Sequence, residues 1–223
     1  MSVLTRDALE DGSYANKLGL PADLVWSPEQ LDESLASTLA DRPAGDIWVF
    51  AYGSLMWNPL LNFNARENAV LEGWHRSFCL KSVAGRGSVG TPGRMLALEA
   101  GGIVAGIALR LAGETPYREL RILWAREMAS GSYIPRWEQV TLADGHLVSA
   151  LVFVANKSHP LYDRNTSAGQ VAPFIVHATG KFGTNAEYVC HLNFALADAG
   201  LEDPYVDALV HELKGASAAV MYG

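Results

Sequence analysis

The sequence holds only two cysteines, Cys79 and Cys190, and no C-x-x-C pair, so neither a disulfide framework nor a thiolate metal cage is available. Basic residues are scarce too. Seventeen lysines and arginines against 24 acidic residues leave a net charge of -7, the wrong sign for generic binding to nucleic acid or to anionic lipid. The six histidines are scattered, without an H-E-x-x-H motif or a pair at i, i+4, and no metal is expected. Long hydrophobic runs are missing as well. The first twenty residues carry Arg6, Asp7, Glu10 and Asp11 rather than a signal-peptide stretch, and the apolar run from Leu147 to Asn156 is too short to span a bilayer. These absences predict a cytoplasmic protein whose partners are small or neutral, with no nucleic acid and no membrane among them. Core-forming material, by contrast, is plentiful: 49% of the 223 residues are apolar, enough for one large domain or two small ones and too much for disorder over most of the chain.

Up to Arg42 the chain is more polar than the remainder, and residues 1–42 are expected to form an N-terminal helical extension to a domain over residues 43–223. Within the extension, Ser27-Pro28-Glu29-Gln30 before Leu31, Leu35 and Leu39 has the pattern of an N-capped helix with proline at its first position. Asp46 to Tyr52 is a short apolar run ending at Gly53, as in a buried strand that enters a tight turn. Strand-like runs recur at Trp74 to Val83, Met95 to Glu99 and Ile103 to Leu111, divided by glycine-rich breaks. Pro116 opens a helical spacing of Tyr117, Leu120, Leu123, Trp124 and Met128 that Gly131 closes, which places Glu127 in the last turn. Tyr133 to Leu142 and His146 to Ala155 are predicted strands joined by the Asp144-Gly145 hairpin signal, and helices are predicted near 167–179, 185–199 and 204–214. Strands in the middle and helices at the end indicate an α+β domain with a curved, largely antiparallel sheet. A Rossmann fold is excluded, because strand and helix do not alternate regularly and no G-x-G-x-x-G turn occurs.

Three features could carry chemistry. Tyr52-Gly53-Ser54-Leu55 follows the buried strand, and glycine there lets successive backbone N–H groups converge on an anion, although an ordinary strand-ending turn has the same composition. The glycine-rich loop from Gly85 to Arg94 carries Arg86 and Arg94, whose guanidinium forks match carboxylates; the alternative is a surface hairpin with solvated charges. Glu127 sits among Trp124, Met128 and Tyr133, company that raises a carboxyl pKa as a general base requires, unless it is a solvated partner of Arg126 or Arg121.

Taken together these pieces resemble a known family. Val49-Phe50-Ala51-Tyr52-Gly53-Ser54-Leu55-Met56-Trp57-Asn58-Pro59 is similar to the signature of the ChaC-like γ-glutamylcyclotransferases. Gly73-Trp74-His75-Arg76-Ser77-Phe78-Cys79, Arg86-Gly87, Pro92-Gly93, Arg126-Glu127-Met128 and Ala186-Glu187-Tyr188 come after it in the family's order, over roughly residues 46 to 212. The resemblance implies a small closed β-barrel of mixed strands with helices packed outside. It also implies a lyase without cofactor that cleaves glutathione to 5-oxoproline and cysteinyl-glycine. Residue by residue, it makes Ala51, Tyr52, Gly53, Ser54, Leu55 and Met56 the loop that holds the γ-glutamyl head and Glu127 the proton acceptor; Arg86 is a candidate substrate contact, and whether Arg86, Arg94 or neither meets the glycine carboxylate of glutathione stays open. Two positions depart from the pattern common in eukaryotic members: Ala51 stands where they often have Gly, and Phe153 where they tend to have Tyr. Other γ-glutamyl compounds as substrates, or a non-catalytic regulator of a cation transporter, are the alternatives.

Overall fold

The structure, a computed structural model, describes residues 4–113 and 116–222. Five strands close on themselves. They are β1 (Trp48–Ala51), β2 (Phe63–Ser82), β3 (Gly93–Leu111), β4 (Tyr133–Leu142) and β5 (Leu147–Ala155), in the order β1-β3-β2-β4-β5 around a barrel. Four neighbouring pairs are antiparallel and the closing pair, β1 with β5, is parallel, with Val49 opposite Leu109 on one side and Leu151 on the other. The closed mixed barrel expected from the resemblance is therefore the fold. All four residues of β1 and the last six of β5 are buried, so both strand faces are covered, one by the barrel interior and one by helices. That explains why both read as continuous apolar runs rather than alternating ones.

β2 and β3 are longer than their apolar runs. The runs at Met95 to Glu99 and Ile103 to Leu111 form one strand, and β2 begins eleven residues before Trp74, in a stretch containing Arg66, Glu67 and Asn68. Pairing with β3 holds this polar segment in the sheet, and a register shift at Glu72/Trp74 bends the ribbon.

Helices cover the outside: α1 (Arg6–Glu10), α2 (Tyr14–Leu18), α3 (Pro28–Ala40), α4 (Pro116–Glu127), α5 (Ala168–His177), α6 (Asn185–Asp198) and α7 (Pro204–Tyr222), with a small hairpin of β6 (Thr179–Gly180) and β7 (Gly183–Thr184) before α6. The N-cap read before α3 becomes a capping box of Ser27 with Gln30, and α6 opens on a second box, Thr184 with Glu187. α4 buries Leu120, Ile122, Leu123 and Trp124, and Trp124 meets Phe153 of β5 edge-on at 5.5 Å between ring centroids.

The N-terminal segment from residue 4 onward is not draped loosely over this body. Ala8, Leu9, Tyr14 and Leu35 are buried in the same hydrophobic core as the barrel. Arg6 forks onto the fully buried Glu119 of α4 at 2.8 and 2.7 Å, and Glu119 also receives the Asn62 backbone N–H at 2.8 Å. The bidentate contact satisfies a carboxylate that burial would otherwise penalise, and it keeps the Glu119 carboxyl below its ordinary range despite that burial.

Candidate active site

A cavity of about 460 Å³ opens where the C-terminal end of β1, the end of α4, the loop after β2, the β6–β7 hairpin and α2 meet. Tyr52, Gly53, Ser54 and Leu55 form one wall, in a strand end that passes into a 3₁₀ turn over Ser54–Met56. Of its N–H groups, that of Ser54 lies against the Tyr188 oxygen and that of Met56 donates to the Gly53 carbonyl at 2.8 Å. Gly53 is required there by close approach: a Cβ would lie 3.0 Å from the Tyr188 hydroxyl and 3.2 Å from Leu96 Cδ2. Ala51 and Met56, expected in the same loop, do not line the cavity. Ala51 pairs with Ile107 inside the sheet, and the Met56 sulfur packs against Arg76 Nη2.

Glu127 ends α4 and lines the same cavity. The chain leaves the helix through Gly131, which has φ of 66° and is covered so closely by the Trp26 ring that a Cβ would overlap it. The Glu127 side chain is 15% exposed, and its Oε1 lies 3.0 Å from Arg126 Nε without a hydrogen bond of proper geometry. Burial pushes the carboxyl up from its ordinary value, against the opposing pull of Arg126. The arrangement leaves a desolvated oxygen with proton affinity to spare, which is the requirement for a general base. Glu127 is thus a partner of Arg126, but a largely buried one rather than a solvated one, and Arg121 pairs with Asp32 at 3.1 Å. If Glu127 accepts the proton, kcat/KM should fall on the acid side with a midpoint above the ordinary glutamate range. The base form is lost as pH drops through a raised pKa, so a pH–rate profile that stays flat through that region would contradict the role.

Arg126 ties the two halves of the site together. Its Nη2 donates to Ser54 Oγ at 2.8 Å and its Nη1 to the carbonyls of Pro59, at 3.0 Å, and of Asn58. One buried guanidinium thus fixes the 52–59 loop against the helix end that carries Glu127. From the sequence Arg126 reads only as an ion-pair partner, because its loop contacts lie 67 and more residues away.

The two loop arginines part company. Arg86 lines the cavity, with Nη1 donating to Thr184 O at 3.0 Å and 3.2 Å from Glu187 Oε2, while its Nε and Nη2 carry no partner among the described residues. Arg94 belongs to β3 rather than to the loop. It is buried, paired with Asp163 at 2.9 Å and stacked 4.0 Å from the Phe174 ring centroid, so it is no ligand for the cavity. Residues that the sequence did not single out complete the lining, among them Tyr14, Lys81, Lys181 and Phe182. Among the described residues lining the cavity, Lys81, Arg86, Arg126 and Lys181 are set against a single carboxylate, Glu127. No group of three or more His, Cys, Asp or Glu that could hold a metal occurs among the described residues, and no described helix is long and apolar enough to cross a membrane.

The closed five-stranded barrel with a glycine-turn wall and a buried glutamate defines the class: a γ-glutamylcyclotransferase-like fold. The structure is similar to that of a γ-glutamyl cyclotransferase specific to glutathione from yeast, with a TM-score of 0.71 at 20% identity over 77% of this chain and 97% of that one. The family model described as ChaC-like protein matches residues 47–216, and the chain belongs to the ChaC-like family. Among its relatives, the glutathione-specific gamma-glutamylcyclotransferase of Escherichia coli (strain K12) is 46% identical over 214 residues, covering 95% of this chain and 93% of that protein. The glutathione-specific gamma-glutamylcyclotransferase 1 of Homo sapiens is 29% identical over 172 residues, 74% of this chain and 77% of that one.

Proposed function

We propose that the chain is a glutathione-specific γ-glutamylcyclotransferase, a lyase that converts glutathione to 5-oxoproline and cysteinyl-glycine. The observation that carries the reading is the Glu127 carboxylate, desolvated and without a hydrogen bond at Oε1, held by Arg126 beside the Tyr52 to Leu55 wall. The 46% identity to the E. coli enzyme supports the same substrate.

The chemistry asks for little more. A γ-glutamyl compound brings its own nucleophile, the α-amine, within reach of the γ-carbonyl, and attack closes a five-membered ring. Because an α-ammonium titrates at about 8, the bound amine must lose a proton first. Glu127 takes it, the ring nitrogen sheds a second proton as the new amide bond forms and the old one breaks, and the departing peptide nitrogen takes up both to leave as an ammonium, so atoms and charge balance without a cofactor. Holding the substrate curled supplies effective molarity worth on the order of 7 kcal/mol or more in the best cases. Tyr52 to Leu55 receive the γ-glutamyl head, with backbone N–H groups toward the α-carboxylate and the developing oxyanion. Arg86 offers its free fork to the second carboxylate. Four cationic residues against one carboxylate also suit a substrate that carries two carboxylates and one ammonium. In this reading residues 43–223 are the catalytic domain, and residues 1–42 a helical extension taken in as part of its wall.

Selectivity rests on the second carboxylate. Glutathione should be turned over with higher kcat/KM than γ-glutamyl-alanine, whose carboxylate sits one residue nearer the scissile bond. Measuring 5-oxoproline release from both tests this, and equal values or a preference for the dipeptide would assign the site to other γ-glutamyl compounds.

A further inference from the structure

Four tyrosines line the cavity: Tyr14, Tyr52, Tyr133 and Tyr188. Three have their hydroxyls committed to the protein. Tyr52 donates to Phe153 O at 2.6 Å, Tyr133 donates to Leu96 O at 2.8 Å, and the Tyr188 oxygen lies against the Ser54 backbone N–H. Tyr14 differs. It is 6% exposed, its ring stacks on Phe182 at 6.4 Å between centroids, and among the described residues no protein group pairs with its hydroxyl. A cavity-lining hydroxyl without a protein partner is left to solvent or to whatever the cavity binds.

The wall that carries Tyr14 is built to stay in place. Leu4, Leu18 and Leu20 line the cavity beside it. Lys181 Nζ, from the β6–β7 hairpin, donates to the Lys17 carbonyl at 2.6 Å and so caps the end of α2, which Gly19 terminates at φ of 78°. Arg6 anchors the preceding helix on Glu119. Yet Arg6, Tyr14, Leu18 and Leu20 all lie before residue 47, where the match to the family model begins. The segment thus lies outside the stretch that the family model describes, although the alignment with the E. coli relative, which covers 95% of this chain, takes in Tyr14. Its Leu18 and the Phe182 ring on which Tyr14 stacks both close on Gly85, next to Arg86, the residue that the proposed function gives to the second carboxylate.

We propose that the N-terminal segment is a substrate-binding wall and that the Tyr14 hydroxyl hydrogen-bonds the departing cysteinyl-glycine portion of the bound substrate. Burial holds the phenol well above its ordinary pKa, so it stays an O–H donor at neutral pH. The inference rests on the cyclotransferase reading above, and the test separates the two. Affinities for glutathione and for 5-oxoproline are measured by calorimetry on Glu127→Gln, which does not consume the ligand, and on Glu127→Gln combined with Tyr14→Phe. Phenylalanine keeps the stack on Phe182 and removes only the hydroxyl. Glutathione should bind about three- to tenfold more weakly to the double variant, the range for one lost hydrogen bond, while 5-oxoproline binds equally to both. Equal glutathione affinities would overturn the role of Tyr14 and leave the function standing. Equal losses for both ligands, or a double variant that no longer folds, would make Tyr14 a packing residue. No glutathione binding to Glu127→Gln itself would instead overturn the cyclotransferase reading, and the inference with it.

Discussion

Replacing Glu127 by Gln should leave a folded protein that binds glutathione while kcat falls by roughly 10² to 10⁴, the range for a positioned acid or base. The substitution keeps shape and hydrogen-bonding reach and removes only the basic oxygen. Stability should move the other way. Because burial raises the folded carboxyl pKa above its unfolded value, the contribution of Glu127 is fully present at low pH and is lost as pH rises through the folded pKa. A neutral amide escapes that loss, so the variant should melt at or above the wild-type temperature at pH 7. Near wild-type kcat in a folded Gln variant would remove Glu127 from the mechanism.

Arg126→Lys should produce the second large effect. Lysine keeps the charge and loses the fork that joins Ser54, Asn58 and Pro59 to the end of α4. Orphaned buried acceptors cost about 1–3 kcal/mol each. At roughly 2–4 °C per kcal/mol for a chain of this size, a fall in Tm of at least about 5 °C is expected. Release of the 52–59 loop should also lower kcat/KM by about 10²-fold, the penalty for displacing a binding wall by about 1 Å. An unchanged Tm with unchanged kcat/KM would show that the loop is held by other contacts.

Legibility in the sequence tracked the range of the interaction. β1, α4, the β4–β5 hairpin and α6 announced themselves because each carries its own period, cap or turn within a dozen residues. Barrel closure did not, since β1 meets β5 about a hundred residues away. It came from the resemblance instead. α1 and α2 are five residues each, too short for a 3.6-residue period to show, and the first half of β2 is polar enough to pass for a loop. Motif and company point to Tyr52 to Leu55, Arg86 and Glu127, and all of these line the cavity. Ala51 and Met56 share the motif yet point elsewhere, because strand alternation and the 3₁₀ turn decide direction and a motif does not. Arg94 looked equivalent to Arg86 until β3 and Asp163 claimed it. Tyr14 and Lys181 carried no sequence signal, as only the packing of α2 against the β6–β7 hairpin brings them to the cavity.

The most direct test is product analysis after incubating the purified protein with glutathione. Intramolecular attack by the α-amine predicts 5-oxoproline and cysteinyl-glycine in equal amounts and no free glutamate. Release of glutamate would make water the nucleophile and the protein a hydrolase, and the absence of both products would contradict a catalytic role for the cavity altogether.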